Sequence, residues 1–193
     1  VLHMHMGGLS EKFDNVFKVI KDYEFPVHYF SPTHCARTKD LFNEALKFQK
    51  MGGNVDITSG GSKFAPLHEV VVAYGLENGL NLERLTMSSD GNGSVPKFNE
   101  NGELVGYGCA SCASNLEVLQ ALVRNKILNI EDTLALMSKN VAKYLNLSQK
   151  GEIKVGNDAD LCVLDEELNL YDVIAKGEFC VKDEKVVKKG FFE

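Results

Sequence analysis

His5, His34 and Asp90 each follow a short apolar stretch; a glycine follows Asp90 at once, and two glycines follow His5 after a single methionine. His5 ends Val1-Leu2-His3-Met4-His5 before Met6-Gly7-Gly8. His34 ends Tyr29-Phe30-Ser31-Pro32-Thr33-His34. Asp90 ends Leu85-Thr86-Met87-Ser88-Ser89-Asp90, with Gly91-Asn92-Gly93-Ser94 beyond it. Buried parallel strands have this composition, and an α/β barrel presents its chemistry where such strands end. Two imidazoles and one carboxylate form a ligand set for a divalent metal. Such a metal would serve hydrolysis by activating water.

The spacing supports one site. His34 follows His5 by 29 positions, the length of one strand–helix repeat, and Asp90 follows His34 by 56, close to two repeats. All three therefore fall at the same end of successive strands. Singly, each has a plainer reading. A histidine is more often a hydrogen-bonded structural residue than a ligand, which is how His28 and His68 are read here. Asp90 alone could cap a turn or the next helix.

His3 and His5 form an H-x-H pair whose side chains face one side of a strand. In many barrel hydrolases such a pair sits on the first strand and both residues bind metal. Only three further strands follow before Asp90, which suits a fifth strand better than a first. His5 is therefore taken as the ligand, with His3 one layer deeper in the barrel. Cys109-Ala-Ser-Cys112 is a lone C-x-x-C. No second ligand pair stands at zinc-site spacing, and a redox pair would more usually open a helix directly after a strand. These are read as two loop cysteines without an assigned role.

The elements that must position these residues follow from periodicity. Apolar stretches alternate with amphipathic ones, the signature of a parallel sheet. Strands are expected at Val1–Met6, Val27–Pro32, Val55–Thr58 and Arg84–Ser89. Helices are expected around Phe13–Ile20, Leu41–Phe48 and Val70–Tyr74. This is α/β architecture, four strands and three helices, or half of an eight-stranded barrel. A long polar loop is expected from Asp90 to about Gly108, then Leu- and Ala-rich helices from about Asn115 to Tyr144. Short strands at Asp160–Leu164, Leu170–Lys176, Glu178–Lys182 and Lys185–Lys188 suggest a small β appendage. The expected division is residues 1–148 for the barrel half and 149–193 for the appendage.

Composition excludes several classes. The 193 residues carry a net charge of −6, which argues against a nucleic-acid surface. No apolar run approaches the roughly 18 residues of a membrane span. Five irregularly spaced cysteines suggest no disulfide framework, so a cytoplasmic setting is expected. Val1 lies already inside a strand, which suggests numbering that begins part-way through a longer protein.

With these residues in place, the sequence resembles the amidohydrolase superfamily, and within it the isoaspartyl (β-aspartyl) dipeptidases. The resemblance rests on His-Met-Gly at His5, Pro-Thr-His-x-x-Arg at Pro32–Arg37, Asp-Ile-Thr-Ser at Asp56–Ser59 and Ser-Ser-Asp-Gly-Asn-Gly-Ser at Ser88–Ser94. It continues through the Gly/Asp-rich stretch from Gly151 to Leu161, which is shared more widely and says less.

The resemblance implies the second half of a TIM-like (β/α)8 barrel followed by strands of a small β domain. It implies hydrolysis of β-aspartyl dipeptides by a zinc-activated hydroxide. His5 and His34 would bind one of two zinc ions. Asp90 would bind the other and carry the proton, while Arg37 and Ser94 would hold the substrate's charged ends. A guanidinium suits that task because it grips a carboxylate in a bidentate fork. The remaining ligands, including a carboxylated lysine, belong to the first half of such a barrel and are expected upstream of this chain. Residues 1–193 alone are then expected to be inactive, with the missing N-terminal half as partner, and a homo-oligomer is expected. Two rivals stand beside this reading: another amidohydrolase, of dihydroorotase or N-acyl amino-acid deacetylase type, and a non-catalytic barrel.

Overall fold

The computed structural model describes residues 1–8, 10–60 and 66–190. Four short parallel strands carry the first part of the chain. β1 (Leu2–His5) leads through α1 (Asp14–Tyr23) to β2 (Phe30–Thr33). α2 (Lys39–Lys50) leads to β3 (Val55–Thr58), and α3 (His68–Glu77) leads to β4 (Leu85–Ser88). β1 pairs with β2 so that His5 stands opposite Thr33, and β3 pairs with β4 so that Thr58 stands opposite Ser88. The Cys35 N–H donates to the Asp56 carbonyl at 3.1 Å, joining the end of β2 to β3.

Two strands begin later than periodicity suggests. Val27–Tyr29 and Leu82–Arg84 are single 3₁₀ turns that feed β2 and β4. Their apolar residues continue the run of the strand, so composition alone does not separate turn from strand. Buried amides pin these entrances. Gln49 donates from Nε2 to the carbonyls of Asn81 and Arg84, both at 3.0 Å, and accepts from the Asn81 N–H at 2.7 Å. Asn140 donates to the carbonyls of Leu82 and Leu85.

The core lies between the strands and the helices that cover them. α2 starts at Thr38, whose hydroxyl accepts from the Leu41 N–H, and buries Leu41, Phe42, Ala45, Leu46 and Phe48. Phe13 and Phe48 are fully buried with ring centroids 5.4 Å apart, against the buried Val55 and Leu85. β2 is buried throughout, as a central parallel strand should be. β1 is not: Val1 is 62% and Leu2 55% exposed, because β1 pairs on one side only among the described residues.

The stretch after Asp90 is not a structureless loop. Ser94–Phe98 (β5) and Leu104–Cys109 (β6) form an antiparallel hairpin. Its turn is built by Asn99, whose side chain accepts from the N–H groups of Asn101 and Glu103, with Gly102 at φ 80°. Pro96 in β5 and Gly106 and Gly108 in β6 hide these strands from a periodicity reading. β6 also changes the setting of the C-x-x-C pair. Cys109 is the last strand residue and Cys112 lies two residues before α4 (Ser114–Arg124), so a strand does lead through the pair to a helix.

The helical stretch beyond is three elements: α4, α5 (Ile130–Met137) and α6 (Lys139–Tyr144). Then β7 (Leu161–Leu164), β8 (Leu170–Ala175), β9 (Glu178–Lys182) and β10 (Lys185–Val186) form an antiparallel sheet in sequence order. α4 holds its β7–β8 turn: Gln120 donates to the Leu168 carbonyl at 2.8 Å and Arg124 to the Glu167 carbonyl at 2.5 Å. No helix among the described residues is long and apolar enough to cross a membrane.

Candidate functional site

The three expected metal ligands lie at the carboxyl ends of the parallel strands, together with Thr58. His5 is the last residue of β1, His34 follows β2 directly, Thr58 ends β3, and Asp90 lies two residues past β4. His34 and Asp90 both take left-handed backbone, at φ 62° and 53°. Non-glycine residues adopt that conformation rarely, and here it turns both side chains away from the strand path. Close backbone approach shapes the same rim. A Cβ on Gly60 would lie 2.3 Å from the Ser89 carbonyl oxygen, so only glycine lets the ends of β3 and β4 converge.

His5 Nδ1 and His34 Nε2 stand 3.0 Å apart. His34 is buried, 5% exposed, and its other ring nitrogen, Nδ1, lies 2.5 Å from Thr58 Oγ1. Burial first, and the Arg37 guanidinium second, hold the His34 imidazole down to about 4, against the opposing pull of the Asp90 carboxylate. At neutral pH the ring is uncharged and has a lone pair to give. Two histidine nitrogens on one tetrahedral zinc, with bonds of about 2.0–2.1 Å, are about 3.3 Å apart. The His5–His34 pair fits one ion with a shift of a few tenths of an ångström.

A cavity of about 390 Å³ opens beside this pair. His34, Arg37, Asp90 and Ser94 line it, with His68, Thr58 and the hairpin residues Val95 and Pro96. Four of the five residues expected at the site thus face one space, and His5 adjoins it through His34. Asp90 does not close a trio with the histidines: among the described residues, no three His, Cys, Asp or Glu side chains are grouped to hold a metal. His3 bonds Ser31 Oγ at 3.2 Å and packs edge-on against His5, with centroids 5.2 Å apart.

Three features were not legible as functional from the residues alone. His68, read as structural, does make a hydrogen bond, Nε2 to the Thr58 carbonyl at 2.7 Å, but it also faces the cavity. Thr58 bonds His34 through its hydroxyl. Below them, Asp56 is a buried carboxylate that accepts from three hydroxyls: Thr33 at 2.6 Å, Ser88 at 2.6 Å and Thr86 at 2.9 Å. Burial pushes its carboxyl above the ordinary aspartate range, with those hydroxyls opposing. The signals for Thr58 were its place at the end of β3, level with the other rim residues, and its membership of the Asp-Ile-Thr-Ser segment, to which no role was assigned. His28, also read as structural, lies tilted against Tyr29, with ring centroids 4.3 Å apart, and does not line the cavity.

The amidohydrolase family model matches residues 14–191. A β-aspartyl dipeptidase from Fervidobacterium islandicum AW-1, solved in complex with a β-Asp-Leu dipeptide, is 33% identical with a TM-score of 0.85. The match covers 99% of this chain and 50% of that one. A second structure of β-aspartyl dipeptidase from that organism gives 29% identity and a TM-score of 0.81, over 99% of this chain and 48% of the other. An N-acetylglucosamine-6-phosphate deacetylase from Thermotoga maritima shares the fold alone, at 17% identity and a TM-score of 0.54, over 88% of this chain and 56% of the other. This chain spans about half the length of the dipeptidases it matches. Its strands and helices are the second half of an amidohydrolase-type TIM barrel, with strands of a small β domain after them.

Proposed function

This chain belongs to the amidohydrolase family, and we propose that it works as the second half of a zinc-dependent enzyme cleaving the isopeptide bond of β-aspartyl dipeptides. The observation that carries this reading is the shared cavity. Arg37, Ser94 and Asp90 face one space beside the His5–His34 nitrogen pair. The similarity to a dipeptidase solved with β-Asp-Leu supports the substrate class.

In this reading His5 and His34 hold one zinc ion and Asp90 helps to hold a second. Bound zinc supplies Lewis acidity and brings the pKa of water near neutrality. Arg37, exposed at the cavity mouth, grips a substrate carboxylate with its two-pronged guanidinium. Ser94, at the start of β5, donates a hydroxyl hydrogen bond to a second charged end. Asp90 accepts the proton released as water attacks the carbonyl, then delivers it to the leaving amine. Its left-handed backbone aims the carboxylate into the cavity beside both substrate-holding residues. Arg37 and Ser94 together, a guanidinium and a hydroxyl facing one space, favour a dipeptide with charged ends over the substrates of other amidohydrolases.

The further zinc ligands, including a carboxylated lysine, would come from the other barrel half. Residues 1–193 by themselves would then be inactive, and the exposed β1 edge is where that half would pair. We place the division between barrel half and β domain at residues 148 and 149. Five free cysteines suit the cytoplasm, and the edge strands of the β7–β10 sheet suit association into oligomers. Zinc content measured on the complete polypeptide, beside hydrolysis of β-Asp-Leu before and after chelation, tests the reading. Stoichiometric zinc with chelator-sensitive hydrolysis is expected. A zinc-free protein would favour a non-catalytic barrel, and one with zinc but no hydrolysis of β-Asp-Leu would favour another amidohydrolase.

A further inference from the structure

We propose that Thr58 is a positioning residue for His34: its hydroxyl accepts the Nδ1 hydrogen and so presents the Nε2 lone pair to the metal. This rests on the reading of His5 and His34 as metal ligands. An imidazole that binds metal through one nitrogen must carry its hydrogen on the other, and that hydrogen needs an acceptor. His34 Nε2 faces His5 Nδ1 at 3.0 Å, which makes Nε2 the ligating atom. Nδ1 then carries the hydrogen, and Thr58 Oγ1 stands 2.5 Å away.

Anchoring matters here because His34 lies outside β2 with left-handed backbone, so strand pairing does not set the plane of its ring. Thr58 is well placed to set it. It is the last residue of β3 and is held in register opposite Ser88. Its β-branched side chain has few rotamers, so the hydroxyl direction is restricted. The same residue accepts from His68 Nε2 through its carbonyl, at 2.7 Å. One strand end therefore fixes a metal-facing histidine through its side chain and a cavity-facing histidine through its backbone. Substituting the side chain leaves the second bond available.

The test is zinc affinity of the complete polypeptide, measured by competition with a chromophoric chelator, for Thr58→Val, Thr58→Ser, Thr58→Ala and His34→Ala. Thr58→Val keeps the branched shape and lacks the acceptor, and should weaken zinc binding about 10–100-fold, the usual cost of losing such a partner. Thr58→Ala should behave alike, so the prediction stands on either variant that folds. Thr58→Ser should bind zinc within a few-fold of the parent. Parent-like affinity in Thr58→Val or Thr58→Ala, with His34→Ala weakened, overturns the role of Thr58 alone. A loss in Thr58→Ser as deep as in Thr58→Val also overturns it, by pointing to packing of the methyl. Unchanged affinity in His34→Ala would instead overturn the metal reading beneath it.

Discussion

His5 Nδ1 and His34 Nε2 stand 3.0 Å apart although 29 residues separate them in the chain. Parallel pairing of β1 with β2 sets His5 opposite Thr33, so the next residue, His34, leaves the strand at the same rim. Its left-handed backbone then swings the ring toward His5 rather than along the strand. The pair is thus a product of register plus one unusual dihedral, with Thr58 behind it.

Arg37 lines the cavity from the turn after β2 and bears on the histidine pair only through its charge near His34. Arg37→Met should therefore leave zinc content unchanged and raise KM. Losing a charged hydrogen-bond partner costs about 1.5–3 kcal/mol, or roughly 10–150-fold in kcat/KM. Steady-state kinetics beside metal analysis will show it. Parent-like kcat/KM would remove Arg37 from substrate binding.

Asp90→Asn keeps an oxygen donor and a similar shape but takes up no proton at neutral pH. Proton transfer by a positioned side chain is worth about 10²–10⁴-fold. The variant should lose kcat on that scale while zinc falls far less. Near-normal turnover with full metal would show that another group carries the proton.

Asp56 ties three strands through the hydroxyls of Thr33, Thr86 and Ser88, and burial raises its pKa. A carboxyl with a folded pKa above its unfolded one favours the folded state most when protonated. Its stabilising share is complete in acid and is lost as pH rises from the ordinary aspartate range through the raised value. Asp56→Asn is neutral throughout. Denaturant melts of parent and variant across that window should show the parent losing ground to the variant as pH rises. Curves that stay parallel would show that Asp56 titrates alike in both states.

The rim residues were legible because strand–helix repeats place strand ends at near-constant spacing, and His5, His34 and Asp90 share that spacing. The Val55–Thr58 strand was legible to the residue, since Gly52-Gly53 and Gly60 bound it closely. Other features depend on contacts that composition does not encode. The β5–β6 hairpin hides behind Pro96 and two strand glycines, yet Ser94, Val95 and Pro96 wall the cavity. Asp56 and Thr58 belong to the Asp-Ile-Thr-Ser segment, but their partners are not encoded there. Their partners lie 23–32 residues away for Asp56, and 24 away for the Thr58 hydroxyl, and only folding brings these together.

The central claim is that Arg37, Ser94, Asp90 and the His5–His34 pair form the substrate-facing half of a β-aspartyl dipeptidase site. Its most direct test is kcat/KM of the complete, zinc-loaded polypeptide on β-Asp-Leu and on α-Asp-Leu, measured side by side. The two substrates share composition and charge and differ only in which carboxyl forms the bond. A site that fixes both charged ends around one bond geometry should prefer the β-linked substrate by at least about 100-fold, or about 2.7 kcal/mol in transition-state binding. Equal turnover of both, or a preference for the α-linked dipeptide, would contradict the account.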